Sequence, residues 1–187
     1  MGVLIGPNTL YYVIVRPKGK LREDFDFSDE KVRKPALLRP EMGERGTGDM
    51  ATTVIAITNQ KGGVGKTTTA AALLTGLHRR GAAVLGVDMD PQGSLGFSLG
   101  LDIEHCTTIY DVFRGQAEPE QAIVRTDTCD ILPSNILLSG AELEFNRPGR
   151  EFLLKTALSK VEDQYDYIII DTPPALSLLT VNAYVAT

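Results

Sequence analysis

The chain is 187 residues long, 43% hydrophobic and 23% charged, with a formal net charge of −5. Such a length and composition suit one globular domain with a sizeable core; the acidic balance gives no sign of a nucleic-acid binder, although a local basic patch is invisible to that sum. No apolar run approaches the roughly 18 residues that span a bilayer, and the N-terminus has no signal-peptide core or cleavage site, so a cytoplasmic protein with no membrane partner is expected.

Residues 1–49 read differently from the rest. Leu10-Tyr11-Tyr12-Val13-Ile14-Val15 has the composition of a strand. Pro17, Pro35 and Pro40, the acidic cluster Glu23, Asp24, Asp26, Asp29 and Glu30, and the run from Gly43 to Asp49 break any regular pattern. The segment carries 9 basic and 8 acidic residues, against 10 and 16 in residues 50–187, and is expected to be irregular and mostly disordered. Met50 stands just before the first buried strand and reads as the native start. That makes 1–49 a non-native or irregular extension and 50–187 the folded domain.

The apolar run Thr53-Val54-Ile55-Ala56-Ile57-Thr58 is the first buried strand, and Asn59-Gln60-Lys61-Gly62-Gly63-Val64-Gly65-Lys66-Thr67-Thr68 follows it. A glycine-rich turn between a buried strand and a helix can wrap backbone N–H groups around phosphates, with a lysine adding charge and a hydroxyl a metal ligand. The usual G-x-x-x-x-G-K-[ST] pattern needs glycine at position 60, where this chain has Gln60, and Lys61 opens the loop instead. Residues Lys61 through Thr68 are therefore the candidate phosphate cradle, in the deviant form of the motif. From Thr67 to Arg80, Ala70, Leu73, Leu74 and Leu77 recur at helical spacing and Gly81 stops the run.

Ala82 to Val87 has no alternation, as befits a parallel strand covered on both faces, and it runs into Asp88-Met89-Asp90-Pro91-Gln92-Gly93. Carboxylates at the C-terminal end of such a strand lie where open α/β sheets bind ligands, which singles out Asp90; for Asp88 a structural, capping role is equally open. In the middle, Thr108–Phe113, Pro119–Ile123, Ser139–Phe145 and Gly149–Val161 read as helices and Asp130–Ser134 as a strand. Arg147, Arg150 and Lys155 read as a solvated basic edge. Cys106 and Cys129 form no C-x-x-C and have no histidine at ligand spacing, so both read as reduced thiols. Tyr165 to Ile170 is a buried strand ending in Asp171, the Walker B arrangement, in which the aspartate holds magnesium beside the Thr67 hydroxyl. Leu176–Val185 completes the alternation as a helix. The expected fold is α/β, a P-loop NTPase with a mainly parallel sheet and helices on both faces.

Three segments together, Lys61–Thr68, Val87–Gly93 and Ile168–Pro174, resemble the ParA/Soj chromosome- and plasmid-partition ATPases, within the deviant Walker A group that includes MinD and the nitrogenase iron protein. The resemblance covers 50–187, and Asn59-Gln60, Pro133-Ser134 and Gly149-Arg150-Glu151 fit it as well; Ala72 stands where the family often has asparagine. It implies an ATPase using ATP and Mg2+ and working as a homodimer with two nucleotides sandwiched between the subunits. Lys66 and the loop amides would hold the phosphates, and Thr67 and Asp171 the magnesium. Lys61 would reach the partner subunit's phosphates, and Asp90 would orient the attacking water. It further implies non-specific DNA binding on the nucleoid and a ParB-type partner that stimulates hydrolysis.

The resemblance also implies further chain beyond Thr187, bearing the rest of the sheet, the adenine pocket and the DNA-contacting residues. The C-terminal part of the sheet is accordingly expected to be missing and the loop strand to have one open edge, an aggregation hazard. The alternatives are a non-catalytic remnant that binds nucleotide and a MinD-like membrane-cycling ATPase. A cofactor-biosynthesis ligase fits the loop alone, but the Asp88–Gly93 segment argues against it.

Overall fold

The computed structural model describes residues 2–6, 9–16 and 52–187. The frame is a seven-stranded sheet built from β1 (Gly2–Gly6), β2 (Thr9–Arg16), β3 (Thr53–Thr58), β4 (Val84–Asp88), β5 (Val124–Arg125), β6 (Asp130–Leu132) and β7 (Tyr167–Asp171). Their spatial order is β1-β2-β3-β7-β4-β6-β5. The central pairs β3–β7, β7–β4 and β4–β6 are parallel, and the flanking pairs β1–β2, β2–β3 and β5–β6 are antiparallel.

The central strands bury both faces, and their side chains sort by period-two alternation into two apolar layers. Ile57, Val84, Ile131 and Ile169 join Ala70, Leu74 and Leu77 of α1 (Lys66–His78) and Leu95 of α2 (Ser94–Ser98). Val54, Ala56, Leu85, Val87, Leu132, Ile168 and Ile170 face the other way, toward α3 (Ile109–Phe113), α4 (Pro119–Ala122), α5 (Ala141–Glu144), α6 (Leu153–Leu158) and α7 (Leu178–Ala186). The expected α/β architecture, helices on both faces of a mainly parallel sheet, is what the chain adopts.

Some elements differ from their sequence expectation. The helix expected over Gly149–Val161 is a 3-10 turn at Arg150–Phe152 followed by α6, and that expected over Ser139–Phe145 is another 3-10 turn, Ile136–Gly140, leading into α5. Within residues 1–49, Gly2–Gly6 and Thr9–Arg16 form a hairpin; the rest of that segment, and Met50 with it, lie outside the described residues. The hairpin alters the expectation of an open edge on the loop strand. β2 pairs with β3 over Tyr12↔Thr58 to Arg16↔Val54, so β3 has neighbours on both sides.

Gly86 lies at the centre of β4, and a Cβ there would come within 2.7 Å of Ile131 Cδ1 and of Leu74 Cδ1 and within 3.4 Å of Leu95 Cδ2. The close approach of α1 to the sheet therefore depends on a missing side chain. Gly86→Ala is expected to destabilise the fold by about 1–3 kcal/mol, read as a lower urea midpoint with an unchanged slope. An unaltered midpoint would show that α1 has room to spare.

Candidate functional site

Everything that carries chemistry in the sequence gathers at the C-terminal ends of β3, β4 and β7. The loop leaves β3 at Asn59, whose Oδ1 accepts the Lys61 N–H at 2.8 Å and so folds the first turn. Gly63 and Gly65 take left-handed φ angles of 69° and 90°, which only glycine adopts without cost. Gly65 is the N-cap of α1, and Lys66 and Thr67 are its first residues. A helix of 13 residues thus points its positive end and unpaired N–H groups into the loop. Lys66 is 7% exposed and its Nζ donates to the Lys61 carbonyl at 3.4 Å, so the amine arches over the loop interior; Lys61, Gly62 and Gly63 face solvent.

Beneath the loop, Asp88 and Asp171 are paired in register at the ends of β4 and β7. Both follow the side-chain parity of Ile169 and Val84 and so emerge on the face that α1 covers. Asp171 is fully buried; its Oδ2 accepts the Thr67 hydroxyl at 2.6 Å, and its Oδ1 is the one buried side-chain oxygen or nitrogen among the described residues with no hydrogen-bond partner. Burial raises its pKa to about 6, with the nearby Asp90 charge adding to the rise and the Thr67 hydrogen bond and Lys66 opposing it. Asp88 is pushed up to about 7, by burial first and by Asp171 second.

Asp90 lies one turn further out and is half-buried. Its Oδ1 accepts the Gln92 N–H at 3.0 Å, and its own N–H donates to Asp88 Oδ1 at 3.0 Å. The structure therefore brings Lys66, Thr67, Asp88, Asp90 and Asp171 to one place and leaves Lys61 at its open rim. Sequence reasoning left Asp88 undecided. Its two oxygens accept from the Asp90 and Leu95 N–H groups, the latter at 2.9 Å, which makes it the anchor of the turn. Sequence reasoning missed Thr172, whose hydroxyl donates to the Ile57 carbonyl at 2.8 Å and ties the end of β7 to the strand that enters the loop.

The AAA_31 family model, described as an AAA domain, matches residues 52–187. The chain belongs to this family. Within it the chain is of the ParA/Soj type. It is 48% identical over 140 residues to the sporulation initiation inhibitor protein Soj of Bacillus subtilis, an alignment covering 72% of this chain and 54% of Soj. To the chromosome partitioning protein ParA of Caulobacter vibrioides it is 45% identical over 139 residues, covering 71% and 52%. A solved structure of a cobyrinic acid a,c-diamide synthase from Mycobacterium smegmatis, with bound ADP and magnesium, superposes with a TM-score of 0.69 at 48% identity, over 72% of this chain and 56% of that one. The chain spans about half the length of these relatives.

The ParA/Soj site has the donors that a nucleotide with magnesium requires: a glycine loop at a helix N-terminus, one buried lysine, one hydroxyl and an orphaned carboxylate oxygen beside it. Among the described residues no group of three acidic, histidine or cysteine side chains could hold a metal alone. Among the same residues, no helix is long and apolar enough to cross a membrane. Both cysteines are free thiols, and burial pushes Cys129 up to about 11.

Between the unfolded carboxylate value of 3.8 and the folded values of about 6 and 7, Asp88 and Asp171 hold more protons in the folded chain than in the unfolded one. Stability of the ligand-free protein is therefore expected to fall as pH rises through that window and to level off above it. Denaturation midpoints at successive pH values check this, and Asp171→Asn should flatten the slope. A stability that rises from pH 4 to 7 in step with the site's titration would overturn the account.

Proposed function

We propose that this chain is the nucleotide-binding portion of an ATP-dependent, dimerising switch ATPase that partitions plasmid or chromosomal DNA. The observation that carries the reading is the Thr67–Asp171 pair under a lysine-opened loop, with one oxygen of Asp171 left without a partner. Lys66 and the loop amides would hold the β- and γ-phosphates. Thr67 Oγ1 would ligate Mg2+, and Asp171 would hold the cation directly or through water. The bound nucleotide with its magnesium supplies the phosphoryl group and the charge neutralisation that its transfer needs.

Asp90 would orient the attacking water, and its placement just outside the buried carboxylates suits a group that must meet solvent. Lys61 is exposed on the loop rim, where it would reach the partner subunit's phosphates and stabilise charge on the leaving side, so that dimerisation would follow nucleotide binding. By relation to Soj and ParA, the dimer would bind DNA without sequence preference on the nucleoid in the cytoplasm. A ParB-type protein would stimulate hydrolysis to ADP and phosphate.

A second reading comes from the Mycobacterium smegmatis structure, described as a cobyrinic acid a,c-diamide synthase. The Asp88–Gly93 turn supports the partition reading over it, whereas the loop fits both. Cobyrinic acid is accordingly expected to leave ATP turnover unchanged, and a substrate-dependent increase would reverse the order.

Lys61→Ala should keep ATP affinity within about threefold while hydrolysis falls by about 100-fold or more and the ATP-dependent dimer is lost. Static light scattering with and without Mg-ATP makes the measurement. An intact ATP dimer in the variant would sink the reach across the interface.

A further inference from the structure

We propose that Ser134 and Asp88 are positioning residues that clamp the backbone of Asp90 and thereby set the rate of hydrolysis without contributing to nucleotide affinity; this rests on the reading of Asp90 given above. Asp90 is held on both sides. Its N–H donates to Asp88 Oδ1 at 3.0 Å, and its carbonyl accepts both the Ser134 hydroxyl and the Gly93 N–H, the latter at 3.0 Å. Asp88 and Ser134 are both fully buried, where an unpartnered polar group would be costly, and each spends its hydrogen bonds on this turn.

The two halves of the clamp come from different strands. Asp88 ends β4, and Ser134 follows β6, the next strand in the sheet. The loop that carries Ser134 is tied down in its own right, because the Pro133 carbonyl accepts the Ile109 N–H at 2.8 Å. It also packs directly on the turn. A Cβ on Gly93 would lie 3.2 Å from the Ser134 carbonyl and 2.3 Å from Ile103 Cδ1, and Gly93 has a left-handed φ of 65°. Position 93 thus needs glycine both for its conformation and for this contact. With the peptide fixed at either end, the Asp90 side chain keeps only its own torsions, and the Gln92 N–H on Oδ1 restrains those. A group that aims a water molecule needs such restraint, since a misplacement of about 1 Å can cost about 100-fold in rate.

The test is Ser134→Ala in this chain, with Asp88→Asn as the second variant. Asparagine nearly preserves shape but leaves either the Asp90 or the Leu95 N–H without its acceptor. For both variants, amide exchange across residues 90–93 should accelerate by about tenfold while β3 and β7 exchange as in the parent chain. The turnover number should fall by about 10- to 100-fold, with KM for ATP and binding of a non-hydrolysable analogue held within about threefold. Unchanged exchange at residues 90–93 in Ser134→Ala overturns the clamp, as does faster exchange with unchanged turnover, or a loss of analogue binding equal to the loss of turnover. Wild-type hydrolysis by Asp90→Ala would instead overturn the reading of Asp90, and the exchange rates then decide the clamp by themselves.

Discussion

Two carboxylates buried side by side are the constraint around which the rest of the site is arranged. Asp88 and Asp171 face each other across adjacent parallel strands, and neither reaches solvent. Removing such groups from water is costly unless hydrogen bonds or opposite charge replace the lost hydration, and their mutual repulsion adds to the cost. The chain meets the demand unevenly. Asp88 receives two backbone N–H groups, while Asp171 receives the Thr67 hydroxyl, is favoured as an anion by Lys66 and by the Thr172 N–H, and keeps one oxygen without a hydrogen bond of normal geometry. This asymmetry leaves one carboxylate committed to backbone N–H groups and the other with an oxygen to spare, although the two occupy equivalent strand ends.

Much of this was legible in the sequence because buried parallel strands and a glycine loop leave strong local marks. Thr53–Thr58 is a strand over the residues expected, and α1 ends two residues short of Arg80, at His78. The carboxylates could be placed at strand ends because the Asp follows an unbroken apolar run in each case. The distinction between Asp88 and Asp90 was not legible, since it depends on which backbone N–H groups fold back onto which oxygen. The role of Ser134 was hidden too, because its partner is 44 residues away in sequence.

Other elements were obscured for different reasons. α2 has five residues, with Gly96 inside and Phe97 77% exposed, so it offers no amphipathic period to detect. β5 is two residues long and exists through its antiparallel pairing with β6. The helix expected over Gly149–Val161 carries suitable apolar spacing, but Gly149 takes a left-handed φ of 83° and the next three residues form a 3-10 turn. Tertiary demand from Asn182 fixes where the regular helix begins: its Oδ1 accepts the Leu154 N–H at 3.0 Å and its Nδ2 donates to the Arg150 carbonyl at 2.9 Å. A side chain on α7 thus caps an element that precedes it by nearly thirty residues of chain.

The hairpin beside β3 changes what kind of support the phosphate loop stands on. A strand at a sheet border can fray through small, low-energy openings, whereas one bonded along both sides releases its amides only when a larger part of the sheet separates. β3 is of the second kind, bonded to β2 over five residue pairs and to β7 over five more. The loop therefore rises from a base whose local opening is coupled to that of its neighbours. Residues at the far N-terminus in this way brace the strand from which the glycine loop leaves.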